Sequence, residues 1–149
     1  MIGPLQRRSM LRAGLALCAS PLLARPALGC EFFAATLRVF HPWTRATTPE
    51  DGFAIISMSF DQVTQTDRLI GVETPVADGA EMGGNGAVRK LNFAIPEGRE
   101  TVLSELGTHV RLLRLRQPLE LGRTYPLKLV FEKGGVVNAD FDVDYERLR

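Results

Sequence analysis

The chain has 149 residues, 45% of them apolar and 23% charged, values that fit one ordinary soluble domain with room for a core. Its formal net charge is +1. It has no basic stripe and no arginine-aromatic interleaving, so nucleic acid is excluded as a partner.

In chain order, residues 1–29 stand apart from the domain. "QRRSMLRAGLALCASPLLARPALGC" has a basic start, an apolar run from Ala13 to Leu23, and small residues at Ala27 and Gly29. That is the layout of a removable export signal, and the run is too short to span a bilayer. Arg7-Arg8 followed by Ser9, Met10, Leu11 and Arg12 resembles the bacterial twin-arginine pattern, which implies a periplasmic destination; an ordinary secretory signal is the alternative. Cleavage near Gly29 leaves 14 basic and 17 acidic side chains, a mildly acidic mature chain. Cys18 leaves with the signal, so Cys30 has no internal disulfide partner. "ALGC" resembles a lipoprotein cleavage box, but Ala27 stands where a larger aliphatic residue is usual, and a free thiol at Cys30 is the preferred reading over a lipid anchor. Residues 30–35 read as a linker and 36–149 as the domain.

From residue 36 the apolar pattern has the period of strands. Segments 36–40, 53–60, 68–72, 87–93, 101–106, 109–115, 125–131 and 136–143 are short and bounded by Gly, Pro, Asp or Asn, giving about eight strands. The last two alternate most clearly: Leu127, Leu129 and Phe131, then Val137, Ala139, Phe141 and Val143, with Gly134-Gly135 between them. They predict a hairpin with one wet face. No helical period persists, so the fold class is an all-β sandwich. The segment "DGAEMGGNGAV" reads as a loop carrying Met82. In "HVRLLRLR" the character of each face reverses along the strand, which a bulge between Leu112 and Leu113 would repair and which a strand crossing from one sheet to the other would equally produce.

Enzyme signatures are absent: there is no phosphate-binding glycine loop, G-x-S-x-G, HExxH or CxxC. The chain therefore reads as a non-enzyme. Asp142 and Asp144 fall on the wet face of a strand and read as solubilising carboxylates. Of the two histidines, His41 precedes Pro42 and reads as a surface or hydrogen-bonded histidine and not as a ligand, and Trp43 reads as a core anchor. A soft-metal reading is open to the rest, because thioether and imidazole donors suit Cu(I). Met58 lies in a run apolar enough to be core, whereas Met82, among glycines, has no evident packing role. His109 and Arg111, two positions apart, share one strand face.

Taken in order, "VFHPWTRATTPEDGFAIISMSF", "QTDRLIGVETPVA" and "THVRLLRLRQPLELGRTYPLKLVFEKGGVV" resemble the PCu(A)C periplasmic copper chaperone family, from about Val39 to about Val143. The resemblance implies a cupredoxin-like β-sandwich that binds Cu(I) outside the cytoplasmic membrane. It also implies delivery to a copper-accepting periplasmic or membrane protein, such as cytochrome oxidase. It puts Met82 and His109 at ligand positions, with Leu91 and Arg111 standing where the family has methionines. Arg111 opposes metal: at about 5 Å and an effective dielectric of about 20, two unit charges repel by about 3 kcal/mol, about a hundredfold in affinity. Two readings follow. One is a weak Cu(I) site of Met82 and His109. The other is a metal-free interaction module, with Arg111, Arg89 and Lys90 available to an anionic group.

Overall fold

The computed structural model describes residues 30–148, so the export segment and Cys18 lie outside the described residues. The chain order is β1 (Glu31–Phe33), β2 (Arg38–Arg45), β3 (Phe53–Asp61), β4 (Asp67–Glu73), β5 (Ala77–Gly84), β6 (Ala87–Arg89), β7 (Phe93–Ile95), β8 (Thr101–Leu103), β9 (His109–Leu115), β10 (Thr124–Phe131) and β11 (Gly135–Tyr145). Among the described residues there is no helix, and so none long and apolar enough to cross a membrane.

The expected all-β, cupredoxin-like sandwich is what forms, from one curled sheet in the order β6-β5-β9-β3-β2-β11-β10-β4-β7. β3 belongs to both layers. Its first half, Phe53 to Ile56, pairs with β9, and its second half, Met58 to Phe60, pairs with β8. Residues Ser57 to Asp61 also pair with β2. Long strands that curl so that one element serves two layers need no separate connection at the corner. The core draws Ile56, Met82, Val110 and Leu112 from one layer and Phe60, Leu69, Leu129 and Phe141 from the other.

The β10–β11 hairpin forms as expected, in register from Phe131↔Gly135 to Thr124↔Asp142. Its closing turn is held by a carboxylate from elsewhere. Asp67, buried at the start of β4, accepts hydrogen bonds from the amides of Lys133, Gly134 and Arg68 at 2.8 Å and from Thr36 Oγ1 at 2.6 Å. Burial alone would raise the Asp67 carboxyl, but these four donors outweigh it and hold it below the usual carboxylate range.

Several expectations need correction. Among the described residues eleven strands replace about eight. Residues 31–33, read as linker, form β1 against β2. The segment 77–84, read as loop, is β5. The 87–93 run divides into β6 and β7, with Leu91 buried between them. Trp43 is only partly buried and packs edge-on against Tyr145, 4.8 Å between ring centroids, so it is not the core anchor. The bulge expected between Leu112 and Leu113 is absent, because Ala54↔Leu112 and Phe53↔Leu113 pair in continuous register. The irregularity comes later: Arg114 has a positive φ of 53°, and the amides of Arg114 and Leu115 both donate to the Gly52 carbonyl. Two residues facing one is a bulge, and it turns Leu115 back against the core.

Candidate metal centre

The site positions lie on β5 and β9, which pair with Gly83 opposite His109, Met82 opposite Val110 and Glu81 opposite Arg111. Directly paired residues share a face and neighbours along a strand alternate. His109, Arg111, Glu81 and Gly83 therefore occupy the outer face, while Met82 and Val110 occupy the inner one. Burial agrees: Met82 is 1% exposed within the core. The structure does not bring Met82 and His109 together.

On the outer face the His109 ring lies over Gly83. A Cβ at residue 83 would come within 2.7 Å of His109 Nε2 and of Arg111 Cδ. Glycine at this strand position is therefore required by the two side chains above it. His109 is 8% exposed, and its Nδ1 lies 3.0 Å from the Gly107 carbonyl. A carbonyl only accepts, so Nδ1 carries the proton, and in the neutral ring Nε2 keeps its lone pair.

Arg111 runs alongside. Its guanidinium sits 4.1 Å over the Phe53 ring, and Nη1 is 3.8 Å from Glu81 Oε1, an ion-pair distance too long for a hydrogen bond. Its Nε is buried without an acceptor. His109 and Arg111 share an open groove walled by Phe53, Ile55, Ala87 and Val88, with the fully exposed Leu106 on its rim. Leu91 is buried in a separate cleft beside Ala80 and Val130. The groove thus offers one imidazole, no thioether, the fixed positive charge of Arg111, and the Glu105 carboxylate, which is already paired with Arg45. This donor set does not fit Cu(I).

Sequence reasoning missed a second polar cluster, where His41 meets Asp142 and Asp144. All three residues stood out in the sequence one by one, but nothing local in it joins His41 to a strand about a hundred residues away.

These features define a cupredoxin-like β-sandwich of the class used by copper-carrying domains. A family model described as "Putative lipoprotein LpqE-like" matches residues 37–143. A copper-bound PCuAC domain from PmoF2 is 26% identical with a TM-score of 0.71, covering 78% of this chain and 98% of that one. An apo PCuAC domain from PmoF1 is 28% identical with a TM-score of 0.72, covering 78% and 99%. A solution structure of Cu(I)-DR1885 from Deinococcus radiodurans, at 24% identity and a TM-score of 0.60 over 70% and 75%, shares the fold. No protein of curated function matches the chain. The chain belongs to the LpqE-like, PCuAC-type family of copper chaperones.

Proposed function

We propose that this chain is an exported member of the copper chaperone family whose His109–Arg111 groove takes a carboxylate-bearing segment of a partner protein in place of Cu(I). The observation that carries this reading is the Arg111 guanidinium, a permanent charge on a side chain 24% exposed in the groove, with Glu81 at 3.8 Å too distant to hydrogen-bond it. A partner carboxylate bonded to the accessible guanidinium nitrogens would make a charge-assisted hydrogen bond, about twice as strong as a neutral one. The exposed Phe53, Val88 and Leu106 around it supply apolar contact to the same segment. The partner belongs to a metal-handling assembly outside the cytoplasmic membrane, reached by the twin-arginine route. Cu(I) delivery to cytochrome oxidase through Met82 and His109 finds no support in two side chains on opposite sheet faces.

Titration of the purified chain with Cu(I) against a chromogenic chelator tests the reading. Wild type is expected not to compete, and Met82→Ala with His109→Ala to change nothing. Competition by one Cu(I) per chain that His109→Ala abolishes would overturn it.

A further inference from the structure

A second group of donors lies where the start of the domain meets β2 and β11. Between Phe40↔Ser59 and Trp43↔Ser57 the register of β2 against β3 slips by one residue, a bulge that contains His41 and Pro42. His41 takes a positive φ of 49°, and its amide donates to the Cys30 carbonyl at 2.8 Å. Bulges re-aim side chains. This one turns the imidazole toward the wet face of β11, bringing Nε2 to 2.8 Å from Asp144 Oδ2.

One ligand atom from each of His41, Asp142 and Asp144 lies within 4.8 Å of the others. Cys30 Sγ is 3.7 Å from Asp142 Oδ2, and Thr124 Oγ1 donates to Asp142 Oδ1 at 2.7 Å, fixing that carboxylate from behind. The other ring nitrogen, His41 Nδ1, is buried with no hydrogen-bond partner. The histidine is thus oriented by the backbone bulge and its contact with Asp144. Two carboxylates and an imidazole lie within reach of one another, and the Cys30 thiol, 3.7 Å from Asp142 Oδ2 at the edge of this group, would complete a mixed O, N and S donor set by turning toward it. Such a set suits a borderline divalent ion such as Zn2+; Cu(I) prefers thioether and imidazole without carboxylates.

We propose that His41, Asp142 and Asp144, with the Cys30 thiol as fourth donor, form a binding site for a divalent transition metal ion of the Zn2+ kind, separate from the His109 groove. Metal here would tie the first described residues to β2 and β11, joining the N-terminal end of the domain to its last strand. The inference stands independently of the partner reading of the groove.

Calorimetric titration of the full chain with Zn2+ and absorption spectroscopy with Co2+ test it. Wild type is expected to bind one Zn2+, and Asp144→Asn or His41→Gln to weaken binding by about tenfold or more, with His109→Ala unchanged. The thermal midpoint of each variant without metal confirms folding, and Zn2+ should raise it in wild type but not in the ligand variants. The Co2+ complex should show a thiolate charge-transfer band that Cys30→Ser removes. No Zn2+ binding by wild type, or undiminished binding in folded Asp144→Asn and His41→Gln, would overturn the site. A Co2+ complex without the band would overturn the role of Cys30.

Discussion

The chain has two histidines, both on strands of one sandwich, and their surroundings are opposite in charge. His109 sits over a bare glycine beside the Arg111 guanidinium, in a groove whose walls are mostly apolar and whose one carboxylate, Glu105, is paired with Arg45. His41 sits against two carboxylates with a thiol close by. The imidazole is the same; the neighbours decide which face attracts a cation and which an anion. A face that keeps a family's histidine can thus lose the cation while the fold stays intact, because the outer-face residues contribute little to the core.

The largest expected effect comes from making the first region resemble a soft-metal site. Val88 lines the groove, unlike Leu91, so Val88→Met with Arg111→Met adds thioethers beside His109 and removes the fixed charge. Cu(I) affinity, read by chelator competition, should rise by about a hundredfold or more over wild type, the Coulomb penalty alone accounting for that factor. Unchanged competition would mean that geometry, and not charge, closes the groove to copper.

Next in size is Gly83→Ala. Its Cβ meets both groove side chains at 2.7 Å, so we expect a loss of about 2 kcal/mol in denaturant unfolding. The His109 signals in an NMR spectrum should move while those of His41 stay. Asp67→Asn keeps the shape but removes charge from an acceptor of four hydrogen bonds and should cost about 2 kcal/mol.

The same group predicts a pH dependence. The folded Asp67 carboxyl lies below its unfolded value, so its contribution is fully present above about pH 4 and is lost as pH falls through the folded value. Acid unfolding of wild type and Asp67→Asn should therefore converge toward low pH. The smallest effect is that of Met82→Leu, a volume-conserving core swap expected to cost under about 1.5 kcal/mol and to leave metal binding at either face untouched.

The sandwich was legible wherever period-two alternation was strong, as in the β10–β11 hairpin, where the alternation picked out every buried position except Tyr125. β5 was not. Gly79, Gly83 and Gly84 look like loop punctuation, yet Gly83 is a strand residue kept small by side chains arriving from β9. That is a tertiary constraint with no local trace, and it hid the burial of Met82 as well. The same-face placement of His109 and Arg111 was legible because it needs only strand periodicity. Whether Met82 could join them depended on a register between β5 and β9, strands far apart in the chain. The His41 cluster was illegible for a similar reason: it needs a bulge in β2 and the parallel pairing of β2 with β11.

With two histidines only, one experiment observes both regions at once. We would follow the imidazole resonances of the full chain by NMR during titration with Zn2+. The His41 signals should shift or broaden to saturation at one equivalent while those of His109 stay in place. Movement of His109 with His41 unaffected would contradict the account.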